Sequence, residues 1–303
     1  MTDPLGVVLG YDGSDFSMQA LDWAIDECEL RKLPLTLTHA WRWPYGEASE
    51  EAKQHLRKAA EHVLHHGAEC ARSSSTITDV IADLYEGSPA ERLVELSSGA
   101  ELLVIGCRGL GALARSVVGS VTAHVAAHAS APVIVVRGPG PLPKPVNPGP
   151  VVLGLSPATP DEALEFAFGE AALRQLRLVA VHAMRPPALA WGVAMAPLPD
   201  AEVFTQAARE RVKERLAPWR ERFPEVVTEP RAIVGAAREV LVAASDGASL
   251  VVVGADRGRH RHGNLGTVVR AMAEHASCPV AVVPAPQARR PGEAGEEPTE
   301  RQS

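Results

Sequence analysis

The chain contains two copies of one domain, and this repeat limits its fold more than any other feature. Four segments of the first half recur in the same order in the second, at a spacing far longer than the ~20–50 residues of solenoid repeats. The pairs are 7–24 with 151–167 ("VVLGYDGSDFSMQALDWA" and "VVLGLSPATPDEALEFA"), 35–40 with 178–183, 86–106 with 234–254, and 129–136 with 276–283. We therefore expect domains at 1–137 and 151–284, a Pro-rich linker at 138–150 and a disordered tail at 285–303.

Composition argues against several classes of partner. The chain carries 30 Lys and Arg against 37 Asp and Glu, a formal charge of -7, so no overall basic field attracts nucleic acid or an anionic membrane. No apolar run reaches the ~18 residues of a membrane span, and the first residues lack the pattern of a signal peptide. The cysteines form no C-x-x-C pair, which argues against a disulfide framework or a zinc site. These features predict a cytoplasmic protein with reduced thiols and with neither a nucleic-acid nor a membrane partner.

Short apolar runs alternate with amphipathic stretches in both copies. This pattern is typical of a parallel sheet that is covered by helices on both faces. Strands are predicted near 6–11, 34–40, 77–84, 101–106 and 132–137 of the first copy. The predicted fold class is therefore α/β, with a five-stranded parallel sheet between helices in each copy.

Three helical segments carry more specific signals. The first helix places five apolar residues on one inward stripe, and its counterpart in the second copy begins with the capping-box pattern "TPDE" at 159–162. The second helix, near 48–72, carries four histidines; the adjacent His65 and His66 point about 100° apart on a helix and cannot share a metal, so a solvated face is predicted. The stripe consists of Ala20, Leu21, Ala24, Ile25 and Cys28, and the other two histidines are His55 and His62.

The glycine-rich stretch after the fourth strand is the candidate ligand site. Gly106 begins the loop, and Gly119-Ser120 begins the last helix. Ligands of open parallel sheets bind beyond the carboxyl ends of the strands, bare glycine permits close approach of the backbone, and a helix N-terminus suits a phosphate. The hydroxyls of Ser120 and Thr122 lie on the first turn of that helix. The alternative is that the glycines only turn and pack the chain.

Other phosphate motifs are missing from the sequence. G-x-x-x-x-G-K-[ST] is absent, so no P-loop lysine is available, and a dinucleotide fingerprint would follow the first strand instead of the fourth. Asp12 ends the first strand and faces the same crevice, where it can accept from a hydroxyl or reach Mg²⁺ through water; the alternative is an ordinary helix-entry turn. His39 and His182 recur at equivalent strand ends and are interpreted as packed residues.

The spacing Gly106-x-x-Gly109, nine residues, then Gly119-Ser120 resembles the G-2x-G-9x-G-[S/T] signature of the ATP-binding subgroup of the universal stress protein family. The resemblance extends over both copies, through "VVLGYDGS", "HA" and "APVIVV". It implies Rossmann-like or flavodoxin-like domains that pair through their fifth strands, with Val133–Val136 beside Val280–Val283 as an internal pseudo-dimer. It also leaves room for a homodimer and for a regulatory protein partner whose identity the sequence does not give.

The same resemblance implies the ligand and its contacts. ATP, together with Mg²⁺, is the implied cofactor, with Tyr11 and Asp12 against the adenosine and the backbone of Ala40 against adenine. The glycine loop would hold ribose and phosphates, and Arg108 and Arg115 lie within reach of phosphate oxygens. No catalytic residue and no protein-held metal are implied. The candidate binding residues are Tyr11, Asp12, Ala40, Ile105, Gly106, Arg108, Gly109, Gly119, Ser120, Val121 and Thr122.

The second copy departs from the pattern at both ends of the expected ligand. Ser156 replaces the aspartate, and the segment between Gly254 and Gly266 is one residue shorter, with Arg257 where the second glycine is expected and Gly258 one place later. The segment "RGRHRHG" at 257–263 is interpreted as a loose basic loop. The helix start Gly266-Thr267 is retained, so we expect one tight nucleotide site, in the first copy.

Three classes of function remain open at this point. The leading one is an ATP-binding regulatory protein of the stress response, in which nucleotide occupancy changes a surface. The second is a slow ATPase or nucleotide hydrolase, and the third is an interaction module that needs no nucleotide. Phosphoryl transfer requires a placed metal, an oriented water and compensation of transition-state charge, and the sequence offers no evident set of residues for it.

Overall fold

The computed structural model describes residues 5–43, 46, 49–109, 118–137, 148–184, 201–255 and 266–286. The first half contains β1 (Val7–Gly10), α1 (Asp15–Arg31), β2 (Leu35–Trp41), α2 (Glu50–Ser74), β3 (Val80–Glu86), α3 (Pro89–Leu96), β4 (Leu102–Gly106), α4 (Ser120–His128) and β5 (Val133–Val136). The second half contains β6 (Val151–Gly154), α5 (Asp161–Leu173), β7 (Leu178–Met184), α6 (Ala201–Arg222), β8 (Thr228–Val234), α7 (Ala237–Ala244), β9 (Leu250–Ala255), α8 (Thr267–His275) and β10 (Val280–Pro284).

All these strands join one sheet, which confirms the predicted α/β class. The order is β3-β2-β1-β4-β5-β10-β9-β6-β7-β8, so each half repeats the arrangement 3-2-1-4-5 of a doubly wound fold. Neighbouring strands are parallel within each half, whereas β5 and β10 pair antiparallel, with Val135 opposite Val280 and Ile134 opposite Ala281. The two fifth strands are thus neighbours, as expected from the resemblance, and the halves share one sheet.

The core continues from one half into the other. The central strands are apolar on both faces because helices cover both, as in β4, whose five residues Leu102–Gly106 are all buried. On the face covered by α1 and α5, one cluster of buried side chains includes Ile134 of β5, Ala281 of β10 and the fully buried Phe168 of α5. Burial of apolar surface therefore stabilises the junction of the halves as well as each half.

Local signals account for the ends of the helices and their faces. Ser14 caps α1 and accepts from the N–H of Ser17, and Lys32 ends the helix in the left-handed conformation at φ 56°. All five residues of the predicted apolar stripe on α1 are buried. The four histidines of α2 are exposed, as the solvated-face interpretation predicts.

Two local predictions are wrong. The third strand is β3 at Val80–Glu86 instead of 77–84, because α2 continues to Ser74 and the strand begins only where Val80 pairs with Leu35. Thr159 does not cap α5: the helix begins after Pro160, without a side-chain cap, and the Thr159 hydroxyl instead accepts from the N–H of Ser156 at 2.9 Å. The Thr159 hydroxyl thus stabilises the turn before α5 instead of the first turn of the helix.

Some expectations concern residues outside the described ranges. These are most of the linker, at 138–147, and most of the predicted tail, at 287–303. Among the described residues, no helix is long and apolar enough to cross a membrane. The same residues contain no group of three or more His, Cys, Asp or Glu side chains placed to hold a metal ion.

An ion pair in the first half holds α3 over the sheet. Arg92 of α3 donates to Asp83 of β3 through Nε at 3.0 Å and Nη2 at 2.7 Å, and Thr38 of β2 donates to the same carboxylate at 2.7 Å. Burial alone would raise the pKa of Asp83, but the hydrogen bonds from Arg92 and Thr38 and the arginine charge lower it. This carboxylate therefore stabilises the fold while it is ionised.

We expect Asp83→Asn to lower the free energy of unfolding by about 1.5–3 kcal/mol at neutral pH, because the charge-assisted bonds are lost. The stabilisation by Asp83 is fully present above the ordinary pKa of 3.8 and is lost as pH falls through the lower folded-state pKa. The difference between wild type and variant should therefore shrink below that pH. Urea unfolding at several pH values measures it, and Glu61→Gln, which removes an exposed pair with Arg57, serves as the control. A difference that stays constant down to acid pH would contradict this role.

Candidate functional site

The site lies where the chain reverses its winding, between the carboxyl ends of β1 and β4. These strands are adjacent, with Gly10 opposite Ile105. The turn after β1 and the loop after β4 therefore leave the sheet side by side, which is the usual ligand position of open α/β sheets. Residues 110–117 of the loop, including Arg115, lie outside the described ranges.

The side chain of Tyr11 does not face this crevice. Its ring is 3% exposed, its hydroxyl donates to Sδ of Met18 at 3.0 Å, and a Cβ on Gly67 of α2 would lie 2.6 Å from the ring. Burial, followed by the nearby Cys70 and Asp12, raises the pKa of this tyrosine. The Tyr11 ring is thus a packing element between α1 and α2, so the ligand contact expected of this residue would come from its backbone.

Asp12 lies in the crevice and also shapes the turn. Its Oδ1 accepts from the backbone N–H of Ser14 at 3.0 Å and from the Ser14 hydroxyl at 2.6 Å, while Ser14 caps α1. Its Oδ2 is close to Gly109: a Cβ at that glycine would overlap with the carboxylate oxygen. One oxygen of Asp12 thus fixes the helix entry, and the other faces the glycine loop.

The glycine loop packs closely on the start of α1. A Cβ on Gly106 would lie 2.9 Å from the carbonyl oxygen of Phe16, a backbone atom that cannot easily move aside. The Arg108 guanidinium lies 5.4 Å from the centroid of the Phe16 ring. Glycine is thus required at 106 and 109, because a Cβ at either position would collide with Phe16 or with Asp12. The contact with Phe16 holds Arg108 at the edge of the crevice.

The N-terminus of α4 completes the described part of the site. Gly119 donates to the Cys107 carbonyl at 3.0 Å, and the first helical bond runs from Ala123 to Gly119 at 2.9 Å. The N–H groups of Ser120, Val121 and Thr122 therefore have no acceptor within the helix, the usual condition of a first turn. These donors and the helix dipole form the electropositive end of the site.

The side chains of this turn differ in what they offer a ligand. Ser120 is exposed and begins the helix, and the capping residue is Gly119, so the serine hydroxyl does not cap α4. Thr122 is 4% exposed, and its hydroxyl donates to the Gly106 carbonyl at 2.9 Å. This hydroxyl ties α4 to the end of β4, so the contact with a ligand expected of Thr122 would come from its backbone N–H. Ile105 is buried and Val121 packs on the same core, so these two residues offer backbone only.

Ala40 is the next-to-last residue of β2, opposite Tyr85 of β3. It lies two strands away from the glycine loop, at the same edge of the sheet. The resemblance assigns an adenine contact to its backbone, and its position is compatible with a ligand that extends from α4 across β1 to β2.

Two residues that were not assigned to the site support it. His39 Nδ1 bonds the Tyr11 carbonyl at 2.8 Å and so holds the turn that carries Asp12. This bond agrees with the interpretation of His39 as a packed residue. The sequence signal for it is the recurrence of "HA" in both copies. Cys107 bonds the Val136 carbonyl through its N–H at 3.0 Å. Burial raises the pKa of the Cys107 thiol although Arg137 and Arg108 lie near, so this thiol stays protonated and unreactive.

The equivalent crevice of the second half is built differently. Leu155 replaces the tyrosine, and the Ser156 hydroxyl lies 3.2 Å from the Thr159 hydroxyl, within its own turn. A Cβ on Gly254 would overlap with the ring of Pro160, so this glycine accommodates a proline at the start of α5. Residues 256–265, which include Arg257, Gly258 and the whole of the predicted basic loop, lie outside the described ranges.

Comparisons with known proteins agree across nearly the whole chain. A sequence model of the universal stress protein family matches residues 6–137 and again 150–284. A universal stress protein of Mycolicibacterium smegmatis is 33% identical over 293 residues, covering 92% of this chain and 96% of the relative. One from Mycobacterium tuberculosis is 31% identical over 312 residues, covering 93% and 96%.

A solved structure supports the same assignment at the level of the fold. The crystal structure of a universal stress protein from Archaeoglobus fulgidus has a TM-score of 0.70 with 17% identity, over 93% of this chain and 99% of that chain. The repeated sequence, the doubly wound halves and the family match on both of them lead to one conclusion. The chain belongs to the universal stress protein family.

Proposed function

We propose that this stress-response protein binds ATP in its first half and acts as a regulatory protein whose surface depends on nucleotide occupancy. The observation that carries the proposal is the close approach of Gly109 to the Asp12 carboxylate beside the N-terminus of α4. Carboxylate and first-turn N–H groups are the acceptor and donors that a ribose hydroxyl and a phosphate require. The two ends lie at adjacent strands of one crevice.

A magnesium ion would fit this site as a companion of the phosphates. The described residues supply one carboxylate there, Asp12, and Mg²⁺ bound with ATP commonly takes one or two carboxylates and keeps several waters. Asp12 would then orient such a water instead of forming a protein cage. The metal would supply charge compensation between phosphate oxygens.

The enzyme alternative has less support. Among the described residues near the crevice, Arg108 lies over the Phe16 ring and cannot act as a base, and Asp12 is the carboxylate already assigned to the ligand, so no separate base for an attacking water is evident. We therefore place hydrolysis second and expect it to be slow. The nucleotide-independent module is third, because a protein that binds no nucleotide would not need the intact glycine spacing of the first half.

We expect Gly119→Val to abolish ATP binding while the protein remains folded. Gly119 has φ -60° and ψ 147°, which any residue adopts, and a Cβ there meets its nearest neighbours at 3.5–3.6 Å, an ordinary contact. The valine methyl groups would crowd the first-turn N–H donors instead of the core. Calorimetric titration with ATP measures binding, and thermal unfolding measures the fold.

Two variants serve as controls for this experiment. Gly266→Val makes the same change at the start of α8 in the second half and should leave ATP binding unchanged. Gly106→Ala should lower the unfolding temperature, because its Cβ would meet the Phe16 carbonyl at 2.9 Å. ATP binding by Gly119→Val that equals the wild type would refute the assigned phosphate site.

We further expect one tight ATP site per chain. Replacement of Asp12 by Ser156 removes a charge-assisted hydrogen bond, which costs ~1.5–3 kcal/mol, or about a tenfold to hundredfold loss of affinity. Titration of nucleotide-free protein should give a stoichiometry near one. A stoichiometry near two with similar affinities would contradict the asymmetry.

A further inference from the structure

Four charged side chains meet at the junction of the two halves. Glu27 and Arg31 lie on α1, Glu170 lies on α5, and Arg174 is the residue that caps the C-terminus of α5; we name these four the Glu–Arg cluster. Within each half the arginine Nε bonds the glutamate four residues before it, at 3.0 Å for Arg31 and 2.8 Å for Arg174. Across the junction, Nη2 of Arg31 bonds Oε1 of Glu170 and Nη2 of Arg174 bonds Oε1 of Glu27. Each arginine thus bridges both carboxylates.

The cluster is built from the repeat itself. Glu27 and Arg31 of the first copy are equivalent to Glu170 and Arg174 of the second. The two ion pairs across the junction, Arg31 with Glu170 and Arg174 with Glu27, are therefore related by the internal symmetry of the repeat. The aromatic residue one turn earlier follows the same rule: the Arg174 guanidinium lies 4.6 Å from the Trp23 ring centroid, and that of Arg31 lies 5.8 Å from the centroid of Phe166, the residue equivalent to Trp23. Each copy therefore carries an aromatic-x3-Glu-x3-Arg pattern, and the residues of this pattern in one copy contact those of the same pattern in the other.

Stability alone does not account for these charges. Both glutamate side chains are 0% exposed, and those of Arg31 and Arg174 are 20% and 13% exposed. Removing such groups from water is costly, and well-packed apolar residues in their place are often as stabilising or more so. The surrounding face is already apolar, with Ile25 and Phe168 in the same core. The charges thus require another explanation, and buried polar groups are known to fix register and partner in some proteins.

We propose that the Glu–Arg cluster selects the partner and the register in which the two halves pair. A slip of β5 against β10 by two residues would move α1 past α5 by about 7 Å and part both cross-pairs together. Each of the four side chains would then keep the ion pair within its own half and lose the one across the junction. The fused second half is the partner that this surface fits, and the selection does not depend on nucleotide.

The first test replaces one arginine in the full-length chain. Arg31→Met leaves Glu27 and Glu170 to share Arg174, so the halves should separate more often and expose the edges of β5 and β10. Amide hydrogen exchange of these two strands should accelerate roughly a hundredfold, with little change in β2 and β7. Arg57→Met, which breaks an exposed pair on α2, is the control and should change neither. Unchanged exchange in β5 and β10, or equal acceleration in all strands, would overturn the proposal.

The second test separates selection from stability. A variant with methionine at all four cluster positions should fold with a thermal stability equal to or above the wild type, since apolar packing replaces the charges. Spin labels at Asp22→Cys and Glu165→Cys, exposed and equivalent positions of α1 and α5, report the register in a Cys70→Ser background. Double electron–electron resonance should give one narrow distance in the native cluster and a broad or double distribution in the methionine variant. A single narrow distance in that variant, or its failure to fold, would contradict the proposal.

Discussion

The antiparallel pairing of β5 with β10 is the contact on which the rest of the structure depends. Each half alone would leave its fifth strand as an open edge with unpaired backbone groups, apolar on both faces. Joining the two edges makes one sheet and lets the core on the α1 and α5 face continue through the junction. Arg137, just after β5, adds a polar link by donating to the Ala276 carbonyl near the end of α8 at 3.1 Å. The crevice of the first half therefore lies at the edge of a sheet that both halves form together.

Duplication followed by divergence explains why the two crevices differ while the scaffold does not. The contacts that join the halves need equivalent residues from both copies, and these are present: Glu27 with Glu170, and Arg31 with Arg174. The described residues of the first crevice, by contrast, all come from one half. Loss of the carboxylate at Ser156 therefore leaves the fold intact and the first crevice unchanged. The second half is needed as a structural partner even if it holds no ligand.

Much of this arrangement could be predicted from the sequence, for identifiable physical reasons. The apolar runs of β4 and β5 indicate strands buried on both faces, and the glycine spacing after β4 marks a backbone that approaches other groups closely, as Gly109 does with Asp12. The direction of the Tyr11 ring could not be predicted, because a residue just past a strand can turn to either side, and only the position of Gly67 on α2 shows which. The partners of the Thr122 and Thr159 hydroxyls could not be predicted, because nearby backbone groups compete for them, and the predicted cap at Thr159 is wrong for this reason. The Glu–Arg cluster could not be predicted from the sequence, because each half by itself shows only an ordinary i,i+4 pair of Glu and Arg.

The proposed function requires the crevice between β1 and β4 to hold ATP without rapid turnover. It is tested most directly by mass spectrometry of the small molecules released when freshly purified full-length protein is denatured. We expect intact ATP in an amount close to one molecule per chain, and no ATP from protein that carries Gly119→Val. Release of a dinucleotide instead, or of equal ATP from wild type and variant, would contradict it.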